Sequence, residues 1–215
     1  MTTDLPIPPV LPEDPALAAA VLEIENHAST TGWDQPARLY ALVDTARLVA
    51  REPALAASMG LDDASAAGSL TPVEQDQLAS EVLEQTLESI VWPDEVAGCA
   101  ALVERFVLPP GVDDELPQDS QEARAFARAH PDRQEVRIVA GVTRAGATYC
   151  ALRLRAHDDD LSVVTGTDLV PGLLALLRGT LDDADDSTPD PSTPDPHEKH
   201  HPQDLADRPD EESTR

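Results

Sequence analysis

The chain has 215 residues, 41% hydrophobic and only 3% aromatic, with a formal net charge of −26. Residues 182–215 hold 12 acidic and 3 basic residues, which leaves 29 acidic and 12 basic residues in 1–181. Nucleic acid and anionic membrane surfaces bind clusters of Lys and Arg, so the charge of either part argues against both as partners.

The sequence predicts a cytoplasmic protein without membrane insertion. No segment has the length and hydropathy of a bilayer span. The first residues lack the basic and apolar regions of a signal peptide. Cys99 and Cys150 lie within predicted strands, where we expect buried free thiols, or a disulfide if those strands are neighbours.

Composition divides the chain into three parts. Residues 1–13 are rich in proline and predict an extended arm, and 14–181 predict a single domain. Residues 182–215 are rich in Pro, Asp and His and repeat the sequence S-T-P-D-P. So little apolar surface cannot offset the ordering entropy, and we expect a disordered acidic tail.

The first third of the domain predicts a helix, a strand and two short helices. Asp14 caps a helix that begins at Pro15 and ends by Gly32. The segment 38–43 alternates as a strand. A helix that Asp44 or Thr45 caps follows it, Pro53 interrupts this helix, and a restarted helix ends at Gly60, before a loop over 62–69.

The middle third predicts a long helix, a long strand and a short helix. Thr71-Pro72-Val73-Glu74 matches a capping box with proline at the first helical position, which predicts a helix over 71–90. The apolar segment 97–108, which turn residues bound, predicts a strand. After an acidic loop, 121–130 predicts a short Arg-rich helix.

The segment Glu135–Arg155 predicts a β-hairpin at the centre of an antiparallel sheet. A three-residue loop, 144–146, pairs Val142 with Thr148 and places the apolar residues of both strands on one face. Such a loop needs its third residue at positive φ, and that residue is Gly146. The other face carries Arg137, Arg153 and Arg155, and we expect it to be solvated.

The end of the domain predicts a short strand and a hydrophobic helix. The strand spans 161–165, and Asp168 caps a Leu-rich helix that packs on the apolar face of the sheet. The order of elements predicts an α+β fold, with a mostly antiparallel sheet of about four to five strands and helices packed on it.

Three segments carry a family resemblance: GWDQPARLYALV over 32–43, SIVWPDEVAGCA over 89–100 and RIVAGVTR over 137–144. Together they resemble an uncharacterised actinobacterial family of short acidic proteins. The resemblance covers roughly 14–181, implies an actinobacterial cytoplasmic origin, and carries no activity or catalytic residue with it.

The strongest candidate binding set combines tryptophans with carboxylates: Trp33, Asp34, Trp92, Asp94 and Glu95. Two tryptophans beside carboxylates form a recognition surface for a cation or a peptide. The alternative is that each indole packs a turn against the core, with its N–H satisfied locally.

The sequence predicts no metal site, cofactor or catalytic group. The acidic segment 157–160 lacks the spacing of a calcium loop and predicts a solvated loop. His197, His200 and His201 in the tail bind metal weakly at most. No common catalytic motif occurs, and Cys150 lies on the predicted buried face, where a thiol is inert.

Two hypotheses for function follow from these observations. The first is a non-enzymatic protein-interaction module, adaptor or chaperone-like, because the chain has an acidic surface and no catalytic constellation. The alternative is a hydrolase or transferase that uses carboxylates such as Asp94 and Glu95 on a small molecule.

Overall fold

The structure is a computed structural model, which describes residues 12–62, 66–75, 83–109, 111–112 and 116–182. One antiparallel sheet of six strands runs through this part of the chain, in the order β2-β1-β3-β4-β5-β6. The strands are β1 Arg38–Asp44, β2 Leu70–Glu74, β3 Val96–Val107, β4 Gln134–Thr143, β5 Thr148–Leu154 and β6 Val164–Gly166. The predicted α+β class is therefore confirmed, with six strands instead of four to five.

Helices cover both faces of this sheet. They are α1 Pro15–Thr31, α2 Thr45–Arg51, α3 Pro53–Ser58, α4 Leu83–Leu87, α5 Ser120–Ala129 and α6 Pro171–Gly179. Helix α1 packs its apolar stripe of Leu17, Val21 and Ile24 on one face. Helices α4 and α6 pack on the other face, through buried residues that include Leu83 and Leu177.

The hairpin has the predicted register. Val142 pairs with Thr148 and Val136 pairs with Leu154. Gly146 has a φ of 92°, in the left-handed region that the three-residue loop requires. The apolar face of β4 packs in one cluster with α6, as its sequence predicts.

The strand β2 replaces the start of the predicted long helix. Residues 71–74 lie in this strand, which pairs antiparallel with β1. A capping box is a local pattern, and the long-range pairing with β1 overrides it. Thr71 and Val73 are also β-branched residues, which favour a strand. Proline is tolerated at Pro72 because β2 is an edge strand. The part of the predicted helix over 76–82 lies outside the described residues. Within the remaining part of that prediction, 83–90, the structure has the short helix α4.

Two further boundaries differ from prediction near the end of the domain. The strand β6 spans Val164–Gly166, and Leu161 lies in a 3₁₀ turn before it. Helix α6 begins at Pro171 with Val170 as its N-cap, and Asp168 does not cap it. The helical conformation is disfavoured for the residue before a proline, and Val170 lies outside it with a φ of −139° and a ψ of 67°, so the helix begins at Pro171.

The predicted arm, 1–13, and the predicted tail, 182–215, lie outside the described residues except for 12–13 and 182. In the described residues, no helix is long and apolar enough to cross a membrane.

Candidate interaction site

The arginine face of the sheet is buried at Arg137 and Arg153, which corrects its predicted solvation there, whereas Arg155 follows β5 and its side chain is exposed as predicted. Arg137 on β4 is 0% exposed and Arg153 on β5 is 2% exposed. They pair directly across the two strands. Helix α1 covers this face, because its apolar stripe packs on Val139 and Ala151 of the same two strands. Two buried guanidinium groups side by side require carboxylates close by.

Arg153 obtains its main partner from α1. Its Nε and Nη2 atoms donate to the two carboxylate oxygens of Glu25 at 2.6 and 2.8 Å, and both side chains are 3% exposed. Nη2 also donates to Asp160 at 2.9 Å, and Nη1 to Asp158 at 3.4 Å. The buried charge therefore has a bidentate partner and two aspartates from the segment 157–160.

Arg137 obtains its partner from β3. Its Nε and Nη2 donate to Oε1 of Glu104 at 3.2 and 2.9 Å, and Nη2 also donates to the carbonyl of Gly32. The other oxygen of Glu104 accepts from the backbone amides of Asp34, at 2.7 Å, and Gln35, at 3.3 Å. One carboxylate thus ties the turn after α1 to a buried arginine of the sheet.

Trp33 covers this ion pair. Its ring lies 4.4 Å from the guanidinium carbon of Arg137 and 5.6 Å from that of Arg155. Its indole N–H donates to Asp158 at 2.9 Å. Nη1 of Arg137 is buried and has no hydrogen-bond acceptor within the described residues. The electron-rich ring face compensates part of this charge by a cation–π contact.

Asp34 closes the outer end of the network. It has a φ of 65°, the one non-glycine residue at positive φ in the described part of the chain. Its carboxylate accepts from Nη1 and Nη2 of Arg155, both at 3.0 Å, and Arg155 also binds Glu135 at 2.5 Å. The hydrogen bonds from Arg155 lower the pKa of Asp34 below its ordinary value.

A groove lies beside this network, at the end of the sheet where β3 ends. Its first part is a cleft of about 310 Å³ that two aromatic residues, Trp33 and Phe106, and five charged residues line. The charged residues are Asp34, Glu104, Glu135, Arg105 and Arg128. A second cleft, of about 320 Å³, shares Glu104, Arg105, Phe106 and Arg128 with the first. We call these two adjoining clefts the Trp33–Phe106 groove.

Phe106 is the apolar centre of the groove. Its side chain is 37% exposed, although it lies in a strand of the central sheet. The guanidinium carbon of Arg133 lies 5.6 Å from the centre of its ring. Aromatic residues and arginines are the two types most enriched at protein interfaces. The groove therefore combines an exposed aromatic anchor with arginines on a rigid base.

The other predicted tryptophan lies elsewhere. Trp92 is 7% exposed, belongs to the cluster that packs α6 on the sheet, and donates its indole N–H to Oγ1 of Thr180 at 3.0 Å. Trp33, in contrast, covers Arg137 on the α1 face of the sheet. The structure thus does not bring the two tryptophans together, and Trp92 packs as the alternative interpretation describes.

Asp94 and Glu95 follow Trp92 and line a separate open cleft of about 420 Å³ with Arg47, Ala50 and Arg51. Glu95 lies 3.7 Å from Arg51, and these two side chains are 60% and 67% exposed. The sequence grouped all five candidate residues by type, and the fold separates them into this cleft, the core and the groove.

A family model, described as PPA1309-like protein, matches residues 17–182. The chain belongs to the PPA1309-like protein family. No curated protein and no solved structure gives a significant match. The PPA1309-like match spans the sheet, the buried arginines and the groove, and its description gives no activity.

The thiols of this PPA1309-like protein are buried and unreactive. Cys99 and Cys150 are both free, and β4 lies between their strands. Burial raises the pKa of Cys99 to about 11, against hydrogen bonds that lower it, and burial also raises the pKa of Cys150. Both are therefore protonated at neutral pH and do not act as nucleophiles.

The described residues contain no group of three or more His, Cys, Asp or Glu side chains that could hold a metal ion. In the predicted solvated loop, Asp158 and Asp160 pair with Arg153. Asp159 accepts from the amide of Leu161 and the hydroxyl of Ser162, and the Ser162 bond lowers its pKa. Two of the three aspartates thus belong to the buried network.

Sequence reasoning missed Phe106, Arg105 and Arg128 as site residues. By its sequence pattern, Phe106 is a core residue within an apolar strand. Arg128 lies on the polar side of a predicted short helix. One pattern in the sequence does mark this end of β3. The polar residues Glu104 and Arg105 interrupt the apolar run of 96–107 before Phe106 and Val107, which indicates that the strand leaves the core there.

Proposed function

We propose that this protein is a non-enzymatic, cytoplasmic protein-interaction module, adaptor or chaperone-like, that binds its partner protein through the Trp33–Phe106 groove. The exposed Phe106 side chain, which lines one cleft with Arg105 and Arg128, is the observation that carries the proposal. A partly exposed aromatic ring with arginines around it has the composition of an interface hot spot.

The rigid base of the groove supports this function. Trp33 and Asp34 are held by Arg137, Arg155 and Glu104, so they lose little side-chain freedom when a partner binds. A preorganised surface binds more tightly than a mobile surface of equal area, because less ordering entropy opposes binding. Trp33 and Asp34 are therefore part of the proposed surface, and a binding role for Trp92, Asp94 and Glu95 stays a prediction.

The chemistry of the thiols is consistent with a non-enzymatic protein. Cys99 and Cys150 are buried and protonated at neutral pH. Nucleophilic catalysis by cysteine needs an accessible thiolate beside a base.

The test is affinity capture from a native lysate, with the full chain and a Phe106→Asp variant as baits. Leu161→Asp is the matched control, because Leu161 is 99% exposed and lies outside the residues that line the groove. We expect a stoichiometric partner that binds the unmodified chain and the control but is lost from Phe106→Asp. A partner that all three baits retain, or no partner, contradicts the proposal.

The carboxylate-based hydrolase or transferase is the second candidate, and the open cleft of Asp94 and Glu95 is the observation that favours it. Two carboxylates and two arginines line one cavity there, as a site for a small polar substrate would require. A screen of phosphoester, ester and glycoside substrates tests it. Turnover that Glu95→Gln abolishes supports the enzyme, and its absence across the screen contradicts it.

A further inference from the structure

Arg124 and Arg128 on α5 form an unusual pair of positive charges in this acidic protein. They are four residues apart on one helix, both are exposed, and both line the second cleft of the groove. Like charges at this spacing repel and destabilise a helix. Neither arginine forms an ion pair with any residue that the structure describes.

The carboxylates of the same cleft already have partners. Glu84 binds Arg105 at 2.9 Å, and Glu104 binds the buried Arg137 at 2.9 Å. Arg124 acts on Glu84 through its charge only, without an ion pair. Once these two pairs are formed, the charges of Arg124 and Arg128 remain to be balanced.

A second arginine pair with the same spacing provides an internal comparison. Arg47 and Arg51 on α2 are also four residues apart and also line an open cleft. Asp94 and Glu95 line that cleft as well, and Arg51 lies 3.7 Å from Glu95. Among the described residues, one arginine of the Arg47 pair thus has a carboxylate partner, and neither arginine of the Arg124 pair has one.

We infer that Arg124 and Arg128 bind the phosphate of a phosphomonoester. A phosphomonoester carries a charge of about −1.5 to −2 at neutral pH and offers three acceptor oxygens, so one group balances both arginines. Each guanidinium presents paired N–H donors that match phosphate geometry. A cleft of about 320 Å³ lies within the range of small-ligand sites. The site extends beyond the interaction proposal and stands without it.

The test is a ¹H–¹⁵N NMR titration of the full chain with inorganic phosphate, at an ionic strength held constant with sodium chloride. We expect saturable shifts of backbone amides in α5 and at Phe106. Removing both guanidinium groups removes charge-assisted hydrogen bonds, so Arg124→Gln/Arg128→Gln should weaken binding at least about tenfold. The control Arg178→Gln removes an exposed arginine of α6 that lines neither cleft of the groove, and it should bind within about twofold of the unmodified chain.

Two phosphate sources are distinguished by a second probe, a pentapeptide with a central phosphoserine, beside its unphosphorylated form. Binding at least about tenfold tighter than that of inorganic phosphate assigns the phosphate to a polypeptide, and equal binding assigns it to a small molecule; both results support the site. Absence of saturation with both phosphate probes overturns it, as does an equal loss of binding in the Arg124→Gln/Arg128→Gln variant and in the Arg178→Gln control. The interaction proposal is tested through Phe106 and a protein partner, so each can fail without the other.

Discussion

Arg153 is buried on the α1 face of the sheet by a carboxylate that comes from a distant part of the sequence. Its bidentate bonds to Glu25 join α1 to β5 across a sequence separation of 128 residues. A buried ion pair costs desolvation energy, which it regains only while both partners are present. The pair therefore specifies how α1 sits on the sheet more than it adds net stability.

Glu25→Ala should lower the free energy of unfolding by about 3 kcal/mol, because it leaves Arg153 buried without its bidentate partner. Asp160 and Asp158 retain their contacts with Arg153 and limit the loss. Urea unfolding of the unmodified chain and of Glu25→Ala measures this difference in the free energy of unfolding. The exposed pair of Arg51 and Glu95 is the control, and Glu95→Ala should cost less than about 1 kcal/mol. Equal costs for the two variants would contradict the structural role of Glu25.

Asp34 should make stability depend on pH in the acid range. Hydrogen bonds from Arg155 lower its pKa in the folded chain from an ordinary value of 3.8. A group whose folded pKa is depressed contributes stability above its unfolded pKa, and that contribution is lost as pH falls through the folded pKa. The difference in unfolding free energy between the unmodified chain and Asp34→Asn should therefore be constant near neutrality and shrink below about pH 4.

Asparagine is the suitable substitution because it tolerates the positive φ of Asp34. Urea titrations at several pH values measure the difference between the two chains. A difference that stays constant down to the lowest pH at which both chains fold would contradict the contribution of the Arg155 pair.

At the scale of elements, the contact of α1 with the sheet depends on a missing side chain. A Cβ at Gly141 would lie 2.8 Å from Cγ2 of Val21 and 3.0 Å from Cδ1 of Leu17. These distances are shorter than van der Waals contact. Glycine thus lets α1 approach β4 closely, and the buried Arg153 on the same face can reach the carboxylate of Glu25 on α1.

Gly141→Ala should destabilise the fold by about 1–3 kcal/mol, because the added methyl group forces α1 away from the sheet. Gly172→Ala in α6 is the matched control, since a Cβ there meets no atom within 4 Å. Alanine in a helix is favoured over glycine, so this control should be neutral or stabilising by up to about 1 kcal/mol. Thermal unfolding compares the two variants. A Gly141→Ala variant that is as stable as the Gly172→Ala control would contradict the packing argument.

Arg144, in the hairpin turn, holds the other helical layer. It donates to the carbonyls of Val96 and Trp92, both at 2.9 Å, and to those of Pro93, at 3.1 Å, and Leu181. These bonds join the start of β3 and the end of the α6 segment to one side chain. The planar fork of arginine, rather than its charge alone, makes the arrangement possible.

Arg144→Lys should therefore cost about 2 kcal/mol, although it keeps the charge, because an ammonium group cannot reach the same set of carbonyls. Hydrogen exchange should become faster in α6 and around Trp92, and remain unchanged in α1. Uniform acceleration through both helical layers would show that Arg144 acts on global stability and not on the docking of α6.

Local chemistry explains which elements could be predicted from the sequence. The hairpin followed from turn chemistry and a period of two, and α1 from its cap and apolar stripe, because the groups that determine them are near in sequence. The strand β2 and the buried state of Arg137 and Arg153 depend on partners far along the chain. From the sequence alone, the segment of β2 matches the pattern of a capping box. The alternating arginines of the buried ion-pair network match the pattern of a solvated face.

The candidate site was predicted in part for the same reason. Trp33 and Asp34 stand out by residue type, and they lie in the groove. Phe106 and Arg128 are ordinary residues of a strand and a helix, and only the meeting of β3 with α5 gives them a common cleft. Trp92 shares its residue type with Trp33 but lies in the core.

At the scale of the whole molecule, a sheet covered on both faces leaves its ends and edges for recognition. The Trp33–Phe106 groove lies at one end, over a base that buried ion pairs hold fixed. Under the proposed function, the binding surface belongs to the folded body, within 12–182, and not to the acidic residues that follow it. The Phe106→Asp variant and its Leu161→Asp control test whether the groove is the surface that binds the partner.

The most direct measurement is affinity capture from a native lysate with two baits, the full chain and a chain truncated after Asp182, read by quantitative mass spectrometry. If the folded body carries the binding surface, both baits should retain the same partner in stoichiometric amount. A partner that the full chain holds and the truncated chain loses would move the function into residues 183–215 and contradict the assignment to the groove.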